Sequence, residues 1–202
     1  MHIGTNRKIK LTGNLEYDNK IWDAILDSRR TDGWTMDYEL EFLAREAIQA
    51  DEAIEIGCYK GKSSNVMALA KHLTCIDDFK GEVEGGKLAK EDKDVLKEFK
   101  KTIGKLKNVD IIVVKEGKSK DKKDEFKDNT IDLIFIDSGH NYTEMKENLE
   151  NYMPKLKIGG KMYIHDYGVG FDDKEEAIEE YLIKNSMTGE AIPQTFLYRI
   201  IK

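Results

Sequence analysis

The chain has 202 residues, of which 36% are charged and 40% hydrophobic, and its formal net charge is −6. This length fits one globular domain. The acidic balance argues against a nucleic-acid partner, which usually leaves a basic surface. No apolar stretch reaches the ~20 residues of a membrane span, so we expect no membrane association. The two cysteines, Cys58 and Cys75, lack zinc-ligand spacing and favour reduced thiols in the cytoplasm.

The first fifty residues contain two segments with helical spacing. Residues 1–19 are polar and predict an N-terminal arm, whereas residues 21–28 carry apolar side chains at helical spacing. A second helix is expected to begin with Thr35 as its N-cap and to run to about Gln49. We therefore expect residues 1–50 to form an arm and helices that pack on a core of residues 51–202, within a single domain.

From residue 51 onward, short apolar strands alternate with helical segments. Strands are predicted at 53–56, 73–76, 110–114, 131–136, 161–164 and 195–201, with a short pairing segment at 191–192. Helices are predicted at 63–71, 90–105, 120–127, 142–153 and 175–183. Gly81, Gly85 and Gly86 indicate a mobile loop that could act as a lid. Strands that are apolar on both faces predict a parallel α/β sheet with helices on both sides.

Polar residues follow nearly every predicted strand. Right-handed crossovers bring the carboxyl ends of parallel strands to one edge of the sheet, so these residues are expected to surround one crevice. They are Glu55, Asp77, Ser119, Asp137, His165 and Asp166. A single Asp after a strand is most simply a helix cap, but a set of this size favours a ligand site.

The segment from Glu55 to Ser64 predicts a ligand-binding turn between the first strand and its helix. Gly57 and Gly61 permit a positive φ or a close backbone approach, and Ser63 and Ser64 are good N-cap residues. Packing alone could also explain two glycines. The spacing differs from the Gly-x-Gly-x-x-Gly fingerprint, which disfavours a nicotinamide-dependent oxidoreductase.

Several motifs in order resemble those of class I S-adenosylmethionine-dependent methyltransferases. They are 33–35 (GWT), 55–63 (EIGCYKGKS), 76–79 (IDDF), 135–142 (FIDSGHNY) and 156–167 (LKIGGKMYIHDY). The branch they resemble contains small-molecule and sugar O-methyltransferases and cephalosporin-hydroxylase-like proteins. The resemblance implies a doubly wound, mostly parallel seven-stranded sheet of the Rossmann-like methyltransferase type, with helices on both faces and an N-terminal helical extension.

The resemblance also assigns a cofactor site for S-adenosylmethionine. Its implied contacts are Glu55, Gly57, Tyr59, Gly61, Ser63, Asp77, Ser119 and Asp137. The glycine turn would pass under the methionine part, where Glu55 would reach the amino group or orient the turn. Asp77 would accept hydrogen bonds from the ribose hydroxyls, with Asp78 as the alternative. Ser119 would meet the adenine, although Lys118 beside it departs from the family pattern.

Methyl transfer to an oxygen needs a way to remove the hydroxyl proton, by a base or by a metal. By the resemblance, Asp137 and Asp166 are the candidate ligands of Mg²⁺. His165 replaces a residue that is usually a carboxylate, and imidazole is a poor ligand for a hard cation, so the need for Mg²⁺ stays open. His140 and His165 are the candidate bases, and a structural role for His140 is an equal alternative.

The expected function is a methyltransferase that acts on a hydroxyl of a small molecule or sugar. The alternative is a cofactor-binding protein of the same fold without methyl transfer. RNA methylation would draw on the lysines between residues 80 and 127, but acidic residues balance them. A homo-oligomer is compatible with the sequence, which does not decide the oligomeric state.

Overall fold

The computed structural model describes residues 12–81, 83–84, 87–88, 94–106 and 109–202. Its strands are β1 (Glu52–Ile56), β2 (His72–Asp77), β3 (Val83–Glu84), β4 (Lys87–Leu88), β5 (Ile112–Glu116), β6 (Ile131–Ile136), β7 (Leu156–Ile164), β8 (Gly189–Ala191) and β9 (Tyr198–Ile201). Seven of them form the main sheet in the order β5-β2-β1-β6-β7-β9-β8, while β3 and β4 pair separately.

The sheet is parallel over β5, β2, β1, β6 and β7. At one edge, β9 runs antiparallel to β7, and β8 runs antiparallel to β9. The doubly wound, mostly parallel seven-stranded sheet predicted from the sequence is therefore confirmed.

Helices cover both faces of this sheet. They are α1 (Leu15–Ser28), α2 (Asp37–Ala47), α3 (Ser64–Met67), α4 (Val95–Ile103), α5 (Ser119–Lys122), α6 (Tyr142–Tyr152) and α7 (Asp172–Lys184). One apolar core joins the first four helices to the sheet, and a second joins α6 and α7 to the opposite face. Among the described residues, no helix is both long and apolar enough to cross a membrane.

The strand register explains why the polar residues meet at one edge. Ile56 lies opposite both Ile76 and Ile136, and Ile136 lies opposite Ile164. The next residue in each strand therefore reaches the same level of the sheet. Those residues are Gly57, Asp77, Asp137 and His165.

Several predicted boundaries are wrong for local reasons. The N-cap of α2 is Met36 rather than Thr35, because the Glu39 side chain accepts a hydrogen bond from the Met36 N–H at 2.8 Å. Helix α3 ends at Met67, well before residue 71, because the chain turns into β2 at His72. The N-cap of α3 is Ser63, one of the two predicted candidates, but its side chain makes no capping hydrogen bond.

Two strands also differ from the prediction. The segment Val109–Ile111 forms a 3-10 turn, so the third parallel strand begins at Ile112. Strand β7 begins at Leu156, and Gly159 and Gly160 within it exchange backbone hydrogen bonds with Lys202. Of the arm predicted at residues 1–19, residues 1–11 lie outside the described residues, and residues 15–19 belong instead to α1, which begins at Leu15 rather than at residue 21. Most of the predicted lid, including Gly85 and Gly86, and the start of the helix predicted at 90–105 also lie outside the described residues.

Candidate active site

The glycine turn after β1 is fastened to the end of β2 by one carboxylate. Asp77 Oδ2 accepts hydrogen bonds from the N–H groups of Cys58 at 2.7 Å and Tyr59 at 2.8 Å. Asp77 Oδ1 accepts a third from the N–H of Phe79 at 2.6 Å. Burial raises the pKa of Asp77, and the backbone hydrogen bonds oppose this rise. Asp77, which the sequence predicts to bind the ribose, therefore also holds the glycine turn in its conformation.

Glu55 lies beneath the same turn and is fully buried. Its Oε1 accepts a hydrogen bond from the Ser63 hydroxyl at 2.5 Å, and its Oε2 accepts one from the Ser64 hydroxyl at 2.6 Å. Burial raises the pKa of Glu55 to about 7, although the two hydroxyls act in the opposite direction. The Ser63 hydroxyl hydrogen is thus already donated to Glu55, beneath the glycine turn.

Glu55 should make the stability of the protein depend on pH. Because its pKa rises from 4.5 to about 7 on folding, its stabilising contribution is complete below about pH 4.5 and lost as the pH rises to about 7. Between pH 5 and pH 8, the free energy of unfolding should fall by roughly 2–3 kcal/mol more in the wild type than in Glu55→Gln. Urea unfolding of both proteins at the two pH values measures this, and parallel losses would contradict the assignment.

A cavity of about 530 Å³ opens at the carboxyl ends of the strands. Its walls include five of the residues that the sequence assigned to the cofactor: Gly57, Tyr59, Asp77, Ser119 and Asp137. Of the other three, Glu55 lies beneath the turn and Gly61 packs against Phe99 and Thr102. Ser63 borders a smaller adjoining cavity.

The smaller cavity adjoins the large one, and four residues line both: Gly57, Tyr59, Asp137 and His140. Its other walls come from Cys58, Lys62 and Ser63 and from the segment 32–35 before α2. Trp34 in this segment packs against Tyr59, with 5.1 Å between ring centroids. Together, the two adjoining cavities form one crevice, and these four shared residues lie where they meet.

The far end of the large cavity holds residues that the sequence reasoning missed. The Ser119 hydroxyl donates to Asn148 Oδ1 at 2.6 Å, and Tyr152 donates its hydroxyl hydrogen to the Ser119 carbonyl at 2.7 Å. Both partners lie on α6, which follows a different strand from Ser119. A polar residue on the buried side of an amphipathic helix is the only sequence signal for Asn148.

A cluster of acidic side chains surrounds His165, which is only 2% exposed. His165 Nδ1 lies 3.1 Å from Asp137 Oδ1 and 3.0 Å from Asp166 Oδ1, while Nε2 lies 3.1 Å from Glu39 Oε2. Burial lowers the pKa of His165, but these carboxylates outweigh that effect and raise it to about 12. Both ring nitrogens are thus occupied, and the residue lies behind the cavity wall.

His140, the other candidate base, lines both cavities. Its Nε2 lies 3.4 Å from Asp166 Oδ2, and its ring stacks on Phe171 with 4.9 Å between centroids. Burial raises the pKa of Asp166, but hydrogen bonds from His140 and His165 reverse this and hold it well below its usual range. Of the two predicted bases, His140 is therefore the one placed where an acceptor could reach it.

The residues at the expected metal position do not fit Mg²⁺. Asp137, His165 and Asp166 bring three ligand atoms within 4.8 Å of one another, but one of them is a nitrogen that already contacts both carboxylates. Mg²⁺ favours oxygen ligands in octahedral geometry. In addition, the fully buried Lys174 ammonium, which has no hydrogen-bond partner among the described residues, is attracted electrostatically by Asp166 and Asp137. The carboxylates of Asp137 and Asp166 are thus already balanced by two cationic groups of the chain, His165 and Lys174.

The sheet order, the glycine turn after β1 and the carboxylate after β2 define the fold of class I S-adenosylmethionine-dependent methyltransferases. Residues 54–167 match a family model described as a methyltransferase domain. This match covers more than half of the chain, and the chain belongs to this family. No curated protein matches the sequence.

Solved methyltransferase structures share the fold at low sequence identity. A putative caffeoyl-CoA O-methyltransferase from Staphylococcus aureus has a TM-score of 0.64 and 17% identity, over 94% of this chain and 93% of that one. TomG from Streptomyces achromogenes, in complex with SAM, has a TM-score of 0.61 and 12% identity, over 92% and 90%. CalS11, a TDP-rhamnose 3'-O-methyltransferase, has a TM-score of 0.56 and 13% identity, over 95% and 96%.

Proposed function

We propose that this methyltransferase transfers the methyl group of S-adenosylmethionine to a hydroxyl oxygen of a small molecule or sugar. The observation that carries this proposal is the crevice of two adjoining cavities, both of which His140 and Asp137 border. Two proteins of similar structure support the proposal. TomG was solved in complex with SAM, and CalS11 is a methyltransferase of TDP-rhamnose.

The chain's residues would divide the work along the crevice. Asp78 or Asp77 would hold the ribose, and Ser119 with Asn148 would border the adenine. The cofactor, when bound, supplies an electrophilic methyl group. His140 would accept the hydroxyl proton as the acceptor oxygen attacks, and Asp166 would stabilise the imidazolium that results. The walls mainly hold the two reactants in line, which can contribute ~7–11 kcal/mol to lowering the barrier.

The proposal is tested by measuring binding and turnover separately. Calorimetric titration with S-adenosylhomocysteine should give saturable binding, and a panel of sugars, polyols and catechols should include an acceptor that is methylated. Binding without transfer to any acceptor would favour the alternative of a cofactor-binding protein. A protein that binds neither S-adenosylmethionine nor S-adenosylhomocysteine would reject both.

We propose that the transfer does not need Mg²⁺, because the donor set at Asp137, His165 and Asp166 is not an oxygen site. Electron paramagnetic resonance of Mn²⁺, a substitute for Mg²⁺, should show no tight binding to the wild type, and EDTA should leave turnover unchanged. His165→Asp, which supplies a third carboxylate, should bind Mn²⁺ more tightly than the wild type. Tight Mn²⁺ binding by the wild type that disappears in Asp137→Ala would overturn this proposal.

The cytoplasm is the proposed place of action. Cys58 and Cys75 are both free thiols and both buried. Reduced cysteines of this kind are typical of cytoplasmic proteins.

A further inference from the structure

Lys62 brings a positive charge to the smaller cavity. It lies in the glycine turn, between Gly61 and Ser63, and its ammonium donates a hydrogen bond to the Gly33 carbonyl at 2.9 Å. Its alkyl chain packs over Gly33, where an added Cβ would lie 3.0 Å from Lys62 Cβ and 3.1 Å from Lys62 Cδ. Lys62 therefore joins two separate segments that line this cavity, the glycine turn and the segment before α2.

The Lys62 ammonium uses one of its N–H donors within the described residues, which leaves donors for an anion. The side chain is partly buried, and this burial lowers its pKa, while Asp37, Asp32 and Glu39 act in the opposite direction. Among the described residues, the hydrogen bond of its ammonium goes to Gly33. An ammonium has three N–H donors, so two remain for a ligand in the cavity.

The nearby Ser63 hydroxyl, in contrast, has no hydrogen left to donate to an anion. Ser63 also borders the smaller cavity, but its hydroxyl hydrogen is donated to the buried Glu55. An anion that enters this cavity would therefore depend on Lys62 for a charged donor. A carboxylate is the anion at one end of S-adenosylmethionine. Gly57 lines both cavities, and Lys62 lines the smaller one.

We propose that Lys62 binds the carboxylate of the cofactor's amino-acid part. This assignment rests on the proposed function, because it takes the nucleoside to fill the large cavity. The ammonium at one end and the ribose-binding carboxylate at the other then fix the cofactor along the crevice. Since Lys62 also anchors Gly33, binding of the carboxylate would be coupled to the position of Trp34 on the neighbouring wall.

The test compares two ligands that differ in the group that Lys62 would bind. S-adenosylhomocysteine carries the amino-acid part, whereas 5'-methylthioadenosine has the same nucleoside and thioether without it. In calorimetric titrations, Lys62→Met should weaken S-adenosylhomocysteine binding by about 10- to 100-fold, the range for losing charge-assisted hydrogen bonds. Binding of 5'-methylthioadenosine should stay within about twofold, since it makes no contact with the ammonium.

Lys60→Met is the matched control, because Lys60 lies two positions earlier in the turn but pairs with Asp32 at 3.7 Å and lies over the Tyr59 ring. It should change the binding of both ligands equally. Equal losses of both ligands in Lys62→Met would assign the lysine to the shape of the turn and overturn the proposal, as would unchanged binding of S-adenosylhomocysteine. If the wild type bound neither ligand, the proposed function itself would fail, and with it the role of Lys62.

Discussion

Gly57→Ala is expected to lower the free energy of unfolding by about 2–5 kcal/mol, combining ~1–2 for a left-handed alanine and ~1–3 for overpacking. Gly57 has a φ of +88°. A Cβ there would lie 2.4 Å from the carbonyl oxygen of Asp137 and 2.6 Å from its carbonyl carbon. These atoms belong to the chain that leaves β6 and is hydrogen-bonded to β1 through Asp137 N–H and Ile56 O. Moving these atoms would break the backbone hydrogen bond that joins the end of β6 to β1.

The same change should weaken cofactor binding, because Asp137 and Gly57 both line the two cavities of the crevice. We expect the affinity for S-adenosylhomocysteine to fall by more than about tenfold, which corresponds to a loss of ~1.4 kcal/mol. Calorimetric titration below the unfolding transition measures this loss. The close carbonyl of Asp137 therefore ties the loss of binding to the loss of stability.

Gly13→Ala separates backbone strain from crowding. Gly13 has the same φ of +88°, but an added Cβ there would meet nothing within 4 Å. Its alanine variant should lose only the ~1–2 kcal/mol of the left-handed conformation. Urea unfolding of the two variants gives the comparison. If Gly57→Ala were no less stable than Gly13→Ala, the crowding against Asp137 would play no part.

Asp77→Asn should open the glycine turn and lower the free energy of unfolding by about 2–4 kcal/mol, because hydrogen bonds to a charged acceptor contribute ~1.5–3 kcal/mol each and only some are lost. The carboxylate accepts from the N–H groups of Cys58, Tyr59 and Phe79. An asparagine turns an amide N–H₂ toward at least one of these donors. Binding of S-adenosylhomocysteine should fall with the stability, since the turn is the floor of the crevice.

Asp78→Asn is the matched control for this change. Asp78 also borders the large cavity, but its contacts are with the backbone N–H and the ammonium of Lys80, at 3.2 and 3.6 Å. Its variant should keep the stability of the wild type within ~0.5 kcal/mol, so any loss of S-adenosylhomocysteine affinity would report on the ribose. Thermal unfolding and calorimetry give both quantities, and an Asp77→Asn protein as stable as Asp78→Asn would exclude the role of Asp77 in holding the turn.

The fold could be predicted because its signals are local and repeated. The run 131–136 is apolar at nearly every position, which is typical of a central parallel strand. Once the strands are parallel, the residue after each one must lie at the same edge. Gly57, Asp77 and Asp137 therefore follow from the pattern, whereas the pattern predicts the last two strands without showing that β9 runs antiparallel to β7.

Other parts of the site depend on tertiary contacts with no local signal. Glu39 follows a predicted helix start, yet nothing near it in the sequence marks His165 as its partner. Lys62 and Lys174 look like two of many surface lysines in a highly charged chain, and only packing shows that Lys174 is fully buried. The short α3 was missed because residues 68–71 continue a helical pattern that the start of β2 interrupts.

Glu39 has a consequence for how the chain reaches its folded state. Its carboxylate contacts His165, which is 126 residues away, and accepts a hydrogen bond from the N–H of Phe196, which is 157 residues away. A carboxylate without such partners is costly to bury, so the packing of α2 on the sheet is complete only once His165 and Phe196 are in place. Contacts of such separation form slowly. Completion of the site is therefore tied to segments far apart in the chain, so a partly folded chain would lack a finished crevice.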